Sequence, residues 1–176
     1  MYKIIPFQQE YRDDAIFCLL LAKDAILNAP RLSEDLLDIQ KNYFDKGDMF
    51  WIALDEDNRV IGMIGTNTIS ETDMWLKRLF IKPEAKRKGL GSALLVTAEA
   101  YAKTKGIEKI HTRFADWFIE AAMFYPSKGY VEVGKSDGRR HFMKNISNIP
   151  ETMLLSEQAL AKDWNTPEED KAWADL

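Results

Sequence analysis

The sequence predicts a mixed α/β protein, with a mostly antiparallel central sheet and helices on both faces. Three observations lead there. The apolar runs 49–54 and 60–69 are joined by the turn residues Asp55-Glu56-Asp57-Asn58, which reads as a hairpin. Segments 89–104 and 119–127 place apolar residues at helical spacing. Strand-like and helix-like stretches then alternate through the second half of the chain, as β-α-β passages require.

Taken in order, Tyr2 to Ile5 forms a first strand, and Pro6, lacking an N–H, ends its ladder. From Asp13 to Leu27 an amphipathic helix is expected, with Ile16, Leu19, Leu20 and Leu27 on its apolar stripe and Asp14, Lys23 and Asp24 facing out. Pro30 breaks the chain before a second helix, which Ser33 should N-cap and which should run to about Phe44. Glu34 and Asp35 would sit in its first turn, where the helix dipole favours negative charge. The hairpin follows, and a third antiparallel strand runs from Met74 to Ile81 and meets Pro83. A helix from Gly89 to about Thr104 stops at Gly106. Lys109 to Phe114 is strand-like, Ile119 to Ser127 helix-like, and strands Tyr130 to Val133 and Arg140 to Lys144 flank the turn Ser136-Asp137-Gly138. The order is β-α-α-β-β-β-α-β-α-β-β.

With 176 residues, 46% of them hydrophobic and 30% charged, the chain suits one compact domain. Its body is expected at residues 1–145, followed by an acidic extension at 146–176. The net charge of −4 belongs to the end of the chain. Residues 151–176 hold seven acids and two bases, leaving 22 bases against 21 acids before them. A broad basic face for nucleic acid is therefore not expected. Cys18 is the only cysteine and His111 and His141 the only histidines, too few for a His/Cys zinc site, so no metal is expected. A reducing, cytoplasmic setting fits one thiol, and no apolar run approaches membrane-spanning length.

The stretch Leu79-Phe80-Ile81-Lys82-Pro83-Glu84-Ala85-Lys86-Arg87-Lys88-Gly89-Leu90-Gly91-Ser92 reads as strand, basic loop, two glycines and helix start. Unpaired first-turn amides, backbone open to close approach and three consecutive bases together favour an anion such as a pyrophosphate. About thirty residues later, Phe124-Tyr125-Pro126-Ser127-Lys128-Gly129-Tyr130 is a helix end leading into a strand.

This pair of stretches resembles the GNAT superfamily of acyl-CoA-dependent N-acetyltransferases. Lys86-Arg87-Lys88-Gly89-Leu90-Gly91 matches its acyl-CoA loop, Arg/Gln-x-x-Gly-x-Gly/Ala, and Phe124 to Tyr130 matches its Phe-Tyr-x-x-x-Gly-Phe/Tyr helix. The resemblance covers about residues 1 to 145 and implies a V-shaped gap between the strand ending at Ile81 and the strand starting near Lys109. Acetyl-CoA would lie in that gap, paired to the backbone of Leu79 and Ile81 with Phe80 between them. Amides of Arg87, Lys88, Gly89, Leu90, Gly91 and Ser92 would wrap the pyrophosphate, with Lys86, Arg87 and Lys88 supplying charge and Lys128 joining the cofactor contacts. Tyr125 would protonate the leaving thiolate. Lys86 replaces the family's planar Arg or Gln, and Phe118 stands where many members have a cofactor-contacting asparagine.

Attack on a thioester needs a neutral amine, so a base or water relay is expected on the acceptor side. Glu71, Asp73, Asp116 and Glu120 are the carboxylates nearest the expected cleft in sequence, and Glu71 and Asp116 are chosen among them. His111 and His141 read as packed or sheet-face histidines. Trp51, Trp75, Trp117 and Phe114 read first as core and second as an aromatic acceptor pocket. The reading is transfer of an acetyl group to a primary amine of a small molecule or peptide, with a homodimer expected by family analogy. A rival is a non-catalytic acyl-CoA sensor or interaction module. For the tail, Thr152 to Ala161 is helix-like and Trp164 and Trp173 follow in acidic surroundings, as in a docked terminal helix or a partner-binding arm. Residues 155–173 also resemble, over that short segment, the C-terminal tails of small bacterial antitoxins, which would imply a protein partner.

Overall fold

The computed structural model describes residues 1–150 and 152–153. The tail beyond them, with the expected helix past residue 153 and both tail tryptophans, lies outside the described residues.

Seven strands form one sheet in the order β1-β2-β3-β4-β5-β7-β6. They are β1 (Lys3–Pro6), β2 (Phe50–Leu54), β3 (Val60–Thr68), β4 (Asp73–Ile81), β5 (Lys109–Ala115), β6 (Val131–Ser136) and β7 (Arg139–Asn145). Four α-helices accompany them: α1 (Arg12–Asp24), α2 (Ile39–Asn42), α3 (Leu90–Thr104) and α4 (Ile119–Ser127). Every strand pair is antiparallel except β4 with β5, the crossover made through α3.

Two cores lie on opposite faces of the sheet. On one, Leu90, Leu94, Leu95 and Ala98 of α3 and Ala121 and Tyr125 of α4 pack over Ala53, Ile64, Met74, Leu76, Ile110 and Phe142. On the other, Ala15, Cys18 and Leu19 of α1 and Ile39 of α2 cover Phe50, Ile52, Leu54 and Met63. These are the alternate residues of β2 and β3, as the two-residue period of a strand demands. The body also runs past Asn145, since Ile146 is fully buried in the α3 core and its N–H bonds the Glu108 carbonyl at 2.7 Å.

Three local expectations change. Helix α1 ends at Asp24, because the chain folds back on itself through the Asn28 N–H to the Lys23 carbonyl, and Leu27 is left exposed at φ 57°. Asp14 faces inward: its carboxylate accepts from the Arg59 guanidinium at 2.7 Å and the Val60 amide at 2.5 Å, tying α1 to β3. The second expected helix splits into a 3-10 turn at Glu34–Leu37, the short α2 and another 3-10 turn at Phe44–Lys46. Asp38 supplies the cap by accepting from the Lys41 amide at 2.9 Å, whereas the Ser33 hydroxyl accepts from Lys23 Nζ.

Candidate active site

Strands β4 and β5 pair at only three positions, Asp73 with Lys109, Met74 with Ile110 and Trp75 with His111. Past that register they separate. A bulge in β4 contributes to the divergence: Lys77 and Phe80 oppose Gly65 and Met63, so one residue of β3 faces two of β4, and Arg78 takes φ 59°. The Arg78 side chain is held where it is by Asp35, whose carboxylate accepts both of its forked N–H groups at 2.7 and 2.9 Å.

The backbone of β4 beyond the bulge is directed into this gap. Lys82 donates its N–H to Ile61 of β3 at 2.9 Å, so alternation turns Phe80 toward β3 as well and points the main-chain groups of Leu79 and Ile81 at the missing strand. A ligand with amide groups could pair there as a strand would.

At the top of the gap lies the loop before α3. Arg87 and Gly89 are in the left-handed region, at φ 61° and 71°, with Lys88 between them at negative φ. Alternating handedness turns successive N–H groups to one side and makes a concave anion cradle. The first amide of this run to find a protein acceptor is that of Ala93, which bonds the Gly89 carbonyl; those of Arg87 to Ser92 have none among the described residues. Space at Gly91 is tight. A Cβ there would meet Ile81 Cδ1 at 3.1 Å and the Phe124 ring at 3.6 Å, where α3 presses against β4 and α4. Arg87 and Lys88 are exposed, while Lys86 is engaged: its Nζ lies 2.7 Å from Glu120 Oε2 on α4. Lys128 caps α4 with its Nζ 5.8 Å from the Phe124 ring centroid.

Tyr125 sits at the closed end of the gap. Its ring stacks on Phe114 at 5.6 Å and 14°, and Phe114 stacks in turn on Phe142. Thr112, the first β5 residue beyond the register paired to β4, is near enough to temper the phenol's pKa. Burial pushes the phenol pKa up to about 12, so it is protonated at neutral pH. Phe118, in place of an amide side chain, leads into α4 and packs edge-on against Phe114.

The two carboxylates chosen from sequence differ in placement. Glu71 is exposed in the turn before β4, at the end where β4 and β5 are paired and away from the gap. Asp116 does lie at the open end of β5, but Lys135 of β6 holds it at 2.9 Å, and that ammonium keeps its carboxyl below the ordinary range. Among the aromatic candidates, Trp51 is buried against Tyr101, Phe114 is in the stack just described, and Trp117 is exposed. Trp75 borders a cavity. That cavity, of about 280 Å³, is lined by Trp75, Arg113, Gly134, Lys135, Ser136 and His141 on the face opposite α4. Beside it, three titratable side chains that sequence reasoning left apart are joined: Asp73 Oδ1 lies 2.8 Å from His111 Nε2, and His111 Nδ1 lies 3.0 Å from His141 Nε2. Two-residue alternation puts Asp73 and Trp75 on one face, but no sequence signal shows which histidines oppose them.

The site is thus a sheet that splits between two parallel strands, with a nest of amides at the mouth and a protonated phenol on α4 beside the opening. The chain belongs to the acetyltransferase (GNAT) family, whose sequence profile matches residues 10–130. Human N-acetyltransferase 8 is 31% identical over 111 residues, covering 60% of this chain and 48% of its own length. The probable N-acetyltransferase camello of Xenopus laevis is 26% identical over 100 residues, covering 55% and 45%. The chain thus spans about half the length of the curated relatives it matches. Among solved structures, an acetyltransferase of the GNAT family from Staphylococcus aureus Mu50 superposes with TM-score 0.77 at 24% identity, covering 83% of this chain and 99% of that one. The PaiA N-acetyltransferase of Thermoplasma acidophilum, in complex with coenzyme A, gives TM-score 0.69 at 20% identity, with 82% and 99% covered. At these identities the structural likeness concerns the fold. No helix among the described residues is long and apolar enough to cross a membrane.

Proposed function

We propose that the chain transfers an acetyl group from acetyl-CoA directly to a primary amine of a small molecule or peptide. The observation that carries this is the gap between β4 and β5, which has unpaired amides and two exposed bases at its mouth and Tyr125 at its apex. In this reading the pyrophosphate sits on the amides of Arg87 to Ser92, and the pantetheine arm pairs with Leu79 and Ile81. The amine nitrogen bonds to the thioester carbon, the carbon–sulfur bond breaks, and Tyr125 gives its proton to the departing thiolate. A reducing compartment such as the cytoplasm suits the chain, whose Cys18 is free and buried.

Isothermal titration with acetyl-CoA and with desulfo-CoA at two salt concentrations tests the site. Micromolar binding that weakens with salt is expected for both ligands, because the anchor is the pyrophosphate. Folded protein that binds neither overturns the reading.

A further inference from the structure

We propose that Asp73, His111 and His141 form a proton relay that presents an unprotonated His141 Nδ1 to the cavity beside Trp75, and that this nitrogen accepts the proton of the acceptor amine. The inference rests on the acetyltransferase reading above and adds the base that reading lacks. An alkylammonium of pKa near 10.4 is neutral to only roughly one part in a few thousand at pH 7, so some group must take its proton.

The tautomers follow from the hydrogen bonds. The Thr72 hydroxyl and His111 bring the Asp73 pKa down to about 2, so Asp73 is an ionised, accept-only partner, and His111 must donate to it from Nε2. In neutral His111 this leaves Nδ1 as an acceptor. His141 therefore donates its Nε2–H across the 3.0 Å contact, and its own lone pair resides on Nδ1. That Nδ1 has no partner among the described residues, and His141 lines the cavity. Proton uptake at Nδ1 followed by transfer of the Nε2 proton to His111 Nδ1 leaves the positive charge on His111, against the Asp73 carboxylate. Overall, R–NH3⁺ and the thioester yield the amide, the thiol and one proton, which the relay passes to solvent.

Position supports the role. Trp75 and His111 form the last paired register of β4 and β5, so the relay lies at the apex of the gap on one face, and Tyr125 packs against Phe114 and Phe142 on the other. A thioester carbonyl at that apex has an acid on one side and a base on the other. Trp75 covers both imidazoles, at 5.4 and 4.9 Å between ring centroids. The charged groups that face His141 are Asp73 from β4, His111 and Arg113 from β5 and Lys135 from β6. Arg113 is bonded to Ser136 and Asp137, and Lys135 to Asp116. Burial, then His111 and Arg113, lower the His141 pKa, which keeps the ring neutral at pH 7.

Long-range proton–nitrogen NMR correlation on the full chain tests the relay directly, because its only two histidines are these. Both rings are expected as Nε2–H tautomers at pH 7.5, with the His141→Gln variant assigning the pair. Asp73→Asn is expected to invert both, since an amide can donate to His111 Nε2 and so moves the proton to Nδ1 in each ring. His141 found as the Nδ1–H tautomer in the unaltered protein overturns the proposal. In acetyl transfer to 2-phenylethylamine, putrescine and lysine ethyl ester, His141→Gln should lower kcat by about 10²-fold and abolish the acidic limb of the pH profile, with acetyl-CoA affinity unchanged. A retained acidic limb overturns the base role, as does a wild-type protein that binds acetyl-CoA yet acetylates none of the three. Failure to bind acetyl-CoA overturns the underlying reading instead, and the NMR tautomers test the relay independently of it.

Discussion

Lys86 and Glu120 form an ion pair, Nζ to Oε2 2.7 Å, that ties the basic loop before α3 to the first turn of α4. One of the three consecutive bases thus has its charge matched within the protein, leaving Arg87 and Lys88 as the exposed cations of the cradle.

Glu120→Gln should accordingly strengthen coenzyme A binding, because it frees the Lys86 charge for the pyrophosphate. The pair is partly exposed and so contributes only about 0.2–1 kcal/mol, which sets the gain at roughly 1.5- to 5-fold in Kd. Titration calorimetry at low salt reads it, and the difference should shrink as salt rises.

The double variant Arg87→Ala, Lys88→Ala should weaken coenzyme A binding by about tenfold and flatten its salt dependence, with thermal stability unchanged. Both side chains are exposed, so the fold does not depend on them. Affinity at two ionic strengths checks both effects.

Tyr125→Phe removes a buried hydroxyl and keeps the ring stacked on Phe114. Turnover should fall by about 10²-fold while acetyl-CoA affinity stays the same. Since burial holds the phenol pKa up at about 12, the basic limb of the wild-type profile should contain no tyrosine ionisation below about pH 10. A sensor with no turnover would show no such loss.

Glu99 on α3 is 1% exposed and accepts from Lys144 Nζ at 2.9 Å and from the Tyr130 hydroxyl at 2.8 Å. Lys144→Met would remove the Lys144 ammonium from that buried carboxylate. A loss of about 3 kcal/mol is expected, which lowers Tm by roughly 6–12 °C for a domain of this size. Calorimetry of the two proteins decides it.

Asp73 also carries a pH signature. Its pKa in the folded chain, about 2, lies below the ordinary 3.8, held there by the Thr72 hydroxyl and by His111. A depressed carboxyl pKa stabilises the fold above the ordinary value, and that contribution is lost as pH falls through the folded one. Urea unfolding should therefore show wild type and Asp73→Asn differing at pH 5 and converging by pH 2.

The anion cradle and the tyrosine helix are legible in the sequence because each is contiguous in the chain. Basic residues followed by Gly89 and Gly91 at a helix start carry their physics within one turn, and Phe124 to Tyr130 is one helix end. The order of strands and longer helices along the chain is legible for the same reason, down to α4 at Ile119–Ser127. Local competition accounts for the errors. Leu27 continues the apolar stripe of α1, yet the backbone closes on Lys23 first. Ser33 has the chemistry of a cap, yet Asp38 takes that place for α2.

Most strands, the helices α3 and α4, and the basic, glycine-bearing helix start before α3 can be read from the chain alone, since periodicity, turn residues and helix ends act over a few neighbours. The meeting of Asp73, His111 and His141 needs the tertiary structure. His111 and His141 are thirty residues apart, and Asp73 lies a further 38 from His111 in the other direction. Only the parallel pairing of β4 with β5 and the antiparallel pairing of β5 with β7 bring the three side chains to one face. Glu71 is set at the paired end of β4 and β5, and Asp116 meets Lys135 of β6. A hydrogen bond is short-ranged and directional, so which acids and bases form a site depends on strand register.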